Sequence, residues 1–271
     1  MDVFLYSDLL FYILAGAAVG FLVGLTGVGG GSLMTPLLIL FNIPYHIAIG
    51  TDLLYATITK ANGVLAHNRE HNIHWSIVGW LALGSIPASL ITVLALHLFF
   101  TETPAYKAIL TTALGIMLII TSGVLFARDA IKRYGAGHKN DKPESCQGHK
   151  AGKTRIITVC SGVLLGVCVT LSSVGAGAFG TAILMLLYTQ LSSRHIIGTD
   201  IAHAVPLTFI AGMGHFILLG NVDFFLLAGL LIGSIPAVYV GSKLSSRLPD
   251  RLMFTVLAGL LLILGIRFAF F

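Results

Sequence analysis

The sequence predicts an all-α polytopic membrane protein made of two inverted-topology repeats, each with about five helical elements and a glycine-broken helix hairpin. Composition supports the first part of this prediction. Of the 271 residues, 56% are hydrophobic and only 10% are charged. A soluble domain of this length has no way to cover so much apolar surface, so we expect lipid to be the solvent.

Internal repetition supports the second part of the prediction. Three segments recur in the same order, 146 to 149 residues later: LTGVGGGSLMTP (25–36) as LSSVGAGAFGTA (171–182), IGTDLLYAT (49–57) as IGTDIAHAV (197–205), and LGSIPAS (83–89) as IGSIPAV (232–238). The chain therefore divides into a first membrane repeat at 1–127 and a second at 156–271, joined by a polar linker at 128–155.

Ten helices are predicted, five in each half. A helix needs about 20 residues to cross a hydrocarbon core of roughly 30 Å. Six apolar runs are long enough: 47–66, 75–98, 106–127, 197–219, 222–243 and 252–270. The predicted helices are, in order, 8–27, 31–43, 47–66, 75–98, 106–127, 155–173, 177–190, 197–219, 222–246 and 252–270.

Local signals mark where several of these helices start or bend. Pro44 lies near the first turn of the third helix, where proline is tolerated. Ser193 is the expected cap of the eighth helix. Pro87 and Pro236 lie inside the fourth and ninth helices and predict kinks there.

The second helix of each half is unusually short, with 13 or 14 residues. At about 1.5 Å per residue it reaches roughly 20 Å, which is too short to cross the hydrocarbon upright. The first two helices of each half should therefore form a hairpin that is bent at the glycines and returns to its starting side. Each half then makes an odd number of crossings, which inverts one half relative to the other.

Charge placement orients the chain. Half of the sixteen Lys and Arg residues lie in the linker 128–155, which the positive-inside rule places in the cytoplasm. If each glycine segment forms a hairpin, the other cytoplasmic loops hold Arg69, Arg194, Lys243, Arg247 and Arg251. Both termini are then expected outside. The first ten residues carry no Lys or Arg and no cleavage pattern follows, so the first helix reads as a retained segment.

Several function classes are disfavoured by the same residues. The positive-inside rule explains the basic linker without a nucleic-acid partner. Cys146, Cys160 and Cys168 form neither a disulfide framework nor a zinc pattern. The glycine runs follow no strand and precede no Gly-Lys-Ser, which excludes a nucleotide loop. We expect no metal and no cofactor, while the oligomeric state stays open.

The two glycine segments predict an anion site. Irregular backbone persists in a bilayer only against protein or a water-filled cavity, and the short helices would point backbone N–H groups inward. A small anion would contact the hydroxyls and amides of Thr26, Gly29, Gly30, Gly31, Ser172, Ser173, Gly175 and Gly177. Alternatively, these glycines are close packing contacts between helices.

Asp52 and Asp200 hold matching positions about seven residues into their helices, roughly 10 Å from the start. Carboxylates at this depth usually face a cavity or a partner, so both are candidates for proton coupling. The preceding Thr51 and Thr199 are candidates for polar lining. The alternative is structural, with the Thr-Asp pairs bonding backbone at a helix bend.

Lys60 lies eight residues beyond Asp52 on roughly the same helix face and is the single Lys or Arg well inside a predicted span. We interpret it as a cation facing an anion path, with Asn62 nearby as polar lining, although lysine can also extend its amine to the interface. The matching position in the other half is Thr208, so the halves differ in charge.

His203 and His215 are further candidates for proton coupling. His203 follows Asp200 by three residues on one helix face and could share a proton with it. His215 lies twelve residues beyond His203 on a similar face. The alternative for both is a hydrogen-bonded interior histidine without a role in transport.

Four stretches resemble the sulfite exporter TauE/SafE family, also called toluene sulfonate uptake permeases: GLTGVGGGSLMTPLLI, IGTDLLYATITKANG, GTDIAHAVPLTFIAGMGHFILLGNVDF and GSIPAVYVGSKLSSRLP. The resemblance covers nearly the whole chain except the linker. It implies secondary transport of small sulfur-containing anions, such as sulfite, sulfonates or thiosulfate, across the bacterial inner membrane. By the same resemblance, the glycine segments and the Gly-Thr-Asp helices would surround the substrate.

These lines together predict a secondary transporter that moves a small sulfur-containing anion by alternating access between the two halves. Its partners are the small anionic substrate and the lipid bilayer. One alternative is a passive anion channel. A second alternative is an intramembrane enzyme, which would need a nucleophile and a base such as Ser172 or Ser173 with His203 or His215. No other nucleophile–base pair is found in the sequence, so we predict that the protein is not an enzyme.

Overall fold

The computed structural model describes residues 2–26, 33–99, 105–128, 147–245 and 250–270, and these fold almost entirely into α-helices. The ten described helices are α1 (Asp2–Thr26), α2 (Met34–Leu40), α3 (Tyr45–Arg69), α4 (Trp75–Phe99), α5 (Ala105–Phe126), α6 (Gln147–Ser172), α7 (Ala178–Leu187), α8 (Ser193–Ile217), α9 (Phe224–Ser245) and α10 (Asp250–Phe270). Six segments are long and apolar enough to span a membrane, in α4, α5, α6, α8, α9 and α10. The prediction of an all-helical multi-pass membrane protein is confirmed.

The short second helix of the first half ends earlier than predicted because a local motif stops it. α2 has 7 residues, and the backbone N–H of Ile43 donates to the carbonyl of Leu38 at 3.0 Å. Asn42 lies between them with a φ of 63°, a left-handed conformation typical of a residue that ends a helix. Pro44 follows and lacks the N–H needed to continue.

The start of α8 also differs from the prediction: the helix begins at Ser193, four residues before the predicted 197, and its cap lies one residue before the predicted one. The cap is Ser192, whose hydroxyl accepts the backbone N–H of His195 at 3.4 Å, and Ser193 is the first helical residue. The assignment of Ser193 as the cap is therefore wrong. The two adjacent serines offer the same side chain, and backbone geometry selects the first of them (φ −70°, ψ 153°).

α3 is a long helix that the apolar count alone does not identify as a span. It has 25 residues, yet its polar residues keep it out of the six apolar segments. Residues 48–56 are all buried. Because α8, α2 and α9 pack around α3, its polar groups are shielded from lipid.

Two pairs of parallel helices cross through small residues. Along α1, a side chain at Gly16, Gly20 or Gly24 would collide with the backbone of Leu230, Ser234 or Val238 on α9. Along α6, Gly162 and Gly166 meet the backbone of Leu81 and Ser85 on α4 in the same way. Close backbone approach of this kind replaces the hydrophobic driving force that lipid removes.

α3 and α8 pack against each other in the centre and run in opposite directions. Near the start of α3, the Thr51 hydroxyl accepts the backbone N–H of Asp223, which follows α8, at 3.1 Å. Near the start of α8, the Thr199 hydroxyl accepts the backbone N–H of His74, which follows α3, at 3.0 Å. The beginning of each central helix therefore lies beside the loop that follows the other.

Both short helices bring the chain back toward the start of the long helix before them. After α2, the ring of Phe41 lies 4.6 Å from the ring of Phe11 in the first half of α1. After α7, the Tyr188 hydroxyl lies 2.8 Å from the Thr158 hydroxyl in the first half of α6. These contacts close a hairpin in each half of the chain.

Candidate functional site

Four ionisable side chains are buried between the central helices α3 and α8. Asp52 and Lys60 come from α3, and Asp200 and His203 come from α8. None of the four exposes more than 6% of its surface. Charged side chains at such depth are costly in a membrane protein and usually mark a functional site.

Asp52 is held by the first short helix. Its Oδ2 accepts the Thr35 hydroxyl at 2.5 Å and the Thr35 backbone N–H at 3.2 Å. Its Oδ1 has no hydrogen-bond partner among the described residues. Two donors on one oxygen stabilise a negative charge on Asp52.

Lys60 reaches across from the first half of the chain to the second glycine segment. Its ammonium donates a hydrogen bond to the backbone carbonyl of Ala176. It also interacts electrostatically with both Asp52 and Asp200. The one buried lysine of α3 thus lies between two carboxylates from different halves and beside a helix break.

Asp200 has a different environment from its counterpart Asp52. Neither of its carboxylate oxygens has a hydrogen-bond partner among the described residues. On the side of α7, Gly180 packs so closely that a side chain there would collide with the Asp200 carboxylate. Thr181, at the position that matches Thr35, instead donates to the Gly177 carbonyl at 2.7 Å.

His203 bonds to the other half of the chain. Its Nε2 lies 2.8 Å from the Ser85 hydroxyl on α4. The expected proton sharing with Asp200 is absent from the described contacts, since neither Asp200 oxygen is hydrogen-bonded. A matching arrangement occurs in the first half, where the Tyr55 hydroxyl interacts with Ser234 on α9.

The second glycine segment forms the predicted break between α6 and α7. Gly175 and Gly177 have φ angles of 114° and 155°, which residues with a side chain rarely adopt. Ser173 has a φ of 57°, and its buried hydroxyl has no hydrogen-bond partner among the described residues, although it lies near enough to Asp52 to act on it. Ser172 is used locally, since its hydroxyl donates to the Cys168 carbonyl at 2.7 Å.

Several predicted site residues lie elsewhere. Gly29, Gly30 and Gly31 are outside the described residues, as is the side chain of Thr26. Asn62 is exposed on α3 and does not join the buried cluster. His215 is buried apart from Asp200, with its Nε2 3.0 Å from the Thr170 carbonyl and His46 as a titratable neighbour.

Three residues of the site were missed from the sequence: Thr35, Ser85 and Gly180. Each lies in a segment whose repetition was visible, because Thr35 and Gly180 follow the glycine runs and Ser85 belongs to the Gly-Ser-Ile-Pro pair. Repetition identified the segments, but their individual contacts depend on how α2, α4 and α7 pack against α3 and α8.

The chemistry of the site favours ion binding. Within the described part of the chain, no group of three His, Cys, Asp or Glu side chains could hold a metal ion. The buried groups are instead one ammonium, two carboxylates, an imidazole and a serine hydroxyl, with the irregular backbone of residues 173–177 beside them. Such groups can bind a small ion and hold or release protons.

Known proteins match this chain along most of its length. The family model described as Sulfite exporter TauE/SafE matches residues 12–268. Probable membrane transporter protein YjnA of Bacillus subtilis (strain 168) is 40% identical over 255 residues, which cover 94% of this chain and 97% of that protein. Probable membrane transporter protein YdhB of the same organism is 30% identical over 264 residues, covering 93% and 98%. No solved structure gives a significant match.

The matched region contains both glycine segments, both Gly-Thr-Asp helices and both Gly-Ser-Ile-Pro segments. A Probable membrane transporter protein of Haemophilus influenzae is also similar, with 26% identity over 224 residues, which cover 80% of this chain and 76% of that protein. The family and these relatives are transporters and not enzymes. The chain therefore belongs to the sulfite exporter TauE/SafE family of membrane transporters.

Proposed function

We propose that this protein is a proton-coupled secondary transporter that moves a small sulfur-containing anion, such as sulfite, a sulfonate or thiosulfate, across the bacterial inner membrane by alternating access. The observation that carries this proposal is the buried ammonium of Lys60, which lies beside the second helix break and between the two halves. A cation in such a place can neutralise an anion that has left water. The family name supplies the class of anion.

Alternating access follows from two inverted membrane repeats, 1–127 and 156–271, around a common centre. Support comes from the antiparallel α3 and α8 and from the paired contacts Thr51 to Asp223 and Thr199 to His74. Each contact joins one half to the other. Rocking of one half against the other would exchange these contacts at opposite ends of the central pair.

The topology that goes with this mechanism has both termini outside and the linker 128–155 in the cytoplasm. The start of α3 then shares the outer side with residues 218–223, and the start of α8 shares the inner side with residues 70–74. The two inter-half contacts at Thr51 and Thr199 agree with both pairings. The rule that positive residues stay inside gives the same orientation.

The anion would bind between the helix breaks, in contact with Lys60 and Ser173. Ser173 offers a buried hydroxyl that is free of hydrogen bonds among the described residues. We assign Gly175 and Gly177 to the same side of the anion, with Ser172 holding the backbone of that break, and Thr26 with Gly29, Gly30 and Gly31 to the opposite side. Asp52, Asp200 and His203 line the site as the candidates for proton coupling, with Thr51 and Thr199 securing their helices. His215 and Asn62 would lie on the path to the site.

Flux into proteoliposomes tests the proposal. Radiolabelled sulfite, thiosulfate and methanesulfonate are supplied outside, with and without a pH gradient. We expect saturable uptake of at least one anion above protein-free vesicles, exchange with the same anion trapped inside, and uphill accumulation driven by the gradient. Equal flux in empty vesicles would contradict the proposal. Flux that never saturates and never runs uphill would instead indicate a passive channel.

Lys60→Met should lower uptake at limiting substrate by about ten- to a hundredfold, because a charge-assisted contact to the anion is lost. Lys60→Arg keeps the charge and should retain part of the flux. Lys107→Met is the matched control, since Lys107 is exposed on α5 and distant in sequence from the breaks. Uptake by Lys60→Met that equals that of Lys107→Met would remove Lys60 from the site.

A further inference from the structure

We infer that the two matching aspartates have different roles, with Asp200 carrying the transported proton and Asp52, which Thr35 holds, keeping a fixed negative charge near Lys60. This inference rests on the proposed anion transport and assigns the coupling step within it. It arises from an asymmetry in contacts: Thr35 bonds Asp52 twice, whereas its counterpart Thr181 turns to its own helix and leaves Asp200 without a donor.

Asp52 has hydrogen-bond donors for its carboxylate that Asp200 lacks. The hydroxyl and the backbone N–H of Thr35 both donate to its Oδ2, and the ammonium of Lys60, eight residues further along α3, attracts its negative charge. Each of these groups favours the carboxylate over the neutral acid. Protonation would weaken the hydrogen bonds that Thr35 donates, so it costs more at Asp52 than at Asp200, which has no such donors among the described residues.

Asp200 is built to accept and release a proton. An ionised carboxylate that is buried with neither oxygen hydrogen-bonded is strongly unfavourable, and a single proton removes that cost. Among the described residues, Lys60 of α3 is the charged group that acts on Asp200, the titratable His67 of α3 packs against Gly198 two residues away, and α7 presents Gly180. His203 is the nearest titratable neighbour of Asp200 along α8, and its Nε2 is hydrogen-bonded to the Ser85 hydroxyl of α4 and not to Asp200.

Charge balance links this proton to the substrate. With both aspartates ionised, the cluster has one ammonium against two carboxylates and a net negative charge, which repels an anion. When Asp200 is protonated, Lys60 and Asp52 balance each other and the site becomes neutral. Binding of the anion and of the proton therefore favour each other, and by linkage the effect is equal in both directions.

The expected coupling is one proton for each monovalent anion, which makes the cycle electroneutral. A transmembrane difference of one pH unit should then support about tenfold accumulation, whatever the membrane potential. His203 takes no proton in this cycle. It positions α8 against α4 through Ser85, as the Tyr55 and Ser234 pair positions α3 against α9.

The test separates exchange from uphill transport in proteoliposomes, with methanesulfonate as a probe whose charge stays constant with pH, beside sulfite and thiosulfate. Wild type should exchange one of these anions and accumulate it with a pH gradient. Asp200→Asn should still exchange labelled anion, but at a rate that no longer varies with pH. It should lose the accumulation driven by the pH gradient. Asp52→Asn should lose exchange itself, because the fixed negative charge near Lys60 and the hydrogen bonds from Thr35 are disturbed.

Threonine variants provide a second test that leaves both carboxylates in place. Thr35→Val removes the hydroxyl donor of Asp52 and should weaken anion affinity about tenfold or more. Thr181→Val is the matched control in the other half, and it should leave affinity and pH dependence unchanged because its hydroxyl serves only its own helix. Thermal unfolding in detergent checks that every variant is folded.

The possible failures are distinct. If wild type moves none of the three anions, the proposed function fails. If wild type accumulates an anion and Asp200→Asn still does so with a pH gradient, the role assigned to Asp200 is wrong while transport stands. The assigned roles are also wrong if Asp52→Asn is the variant that exchanges anion without accumulating it. Equal effects of Thr35→Val and Thr181→Val on anion affinity would contradict them as well.

Discussion

Adjacent serines in the second break illustrate how differently neighbouring side chains are used. The Ser172 hydroxyl donates to the Cys168 carbonyl at 2.7 Å and accepts the backbone N–H of Val174 at 3.1 Å, so it holds the end of α6. Ser173 exposes 2% of its surface, and its hydroxyl lies near Asp52 but makes no hydrogen bond of normal geometry among the described residues. One serine serves the backbone, and the other lies beside Asp52 in the proposed anion site.

Replacing each serine by alanine should separate these roles. Ser173→Ala should leave the melting temperature unchanged or slightly higher, because it removes an unpaired buried hydroxyl, and should weaken anion affinity by about ten- to a hundredfold. Ser172→Ala should destabilise the protein by about 1–3 kcal/mol, since the Val174 N–H is left unpaired. Thermal unfolding and concentration-dependent uptake measure both effects. A loss of affinity in Ser172→Ala together with a loss of stability in Ser173→Ala would contradict these roles.

Helix pairs in this protein depend on glycine more than on large apolar side chains. On α4, Gly84 lies against the backbone of Val159 and Val163 on α6, while Gly79 on the same helix has open space around it. A helix pair in lipid gains stability from close packing, because apolar side chains are equally well solvated by lipid tails. The α4–α6 crossing therefore depends on the absence of a side chain at position 84.

Gly84→Ala should lower stability by about 1–3 kcal/mol, because the added methyl group collides with backbone that has little room to move. Gly79→Ala is the control on the same helix. It should raise stability by up to about 1 kcal/mol, since alanine favours a helix more than glycine. Thermal unfolding in one detergent compares them. Equal shifts in the two variants would mean that α4 and α6 do not depend on this contact.

The two halves of the molecule meet along α3 and α8, and each half completes the other. The hydroxyls of Thr51 and Thr199 bind loops of the opposite half, and Lys60 reaches the carbonyl of Ala176. Neither half therefore forms the ion cluster alone. A chain so arranged is expected to present its two ends on the same side of the membrane.

Thiol labelling in intact cells tests this arrangement. In a background lacking Cys160 and Cys168, the native Cys146 of the linker should be protected from an impermeant thiol reagent, because the linker is expected in the cytoplasm. Asp2→Cys and Phe270→Cys, each made without Cys146, should both react. Labelling after permeabilisation is the control for reactivity. Protection of either end in intact cells would contradict the inverted arrangement.

The sequence alone determined the class of the protein and the places where its helices break. Apolar runs have to be helical in lipid, since no water is present to bond their backbone, so composition predicts the spans directly. Repetition divides the sequence into two halves, and the predicted helices begin and end within about three residues of the described ones except at the starts of α1, α6 and α8. The polar residues inside the repeats singled out Asp52, Lys60, Asp200 and His203 as buried candidates.

Only the tertiary structure decided how these residues differ from one another. Thr35 and Thr181 have the same side chain at matching positions, yet one bonds an aspartate and the other its own helix. Asn62 is polar and close to Lys60 in sequence, yet it lies on the exposed face of α3. Hydrogen-bond partners depend on the rotamers and distances set by packing between segments far apart in the chain, and a linear pattern contains no record of those distances.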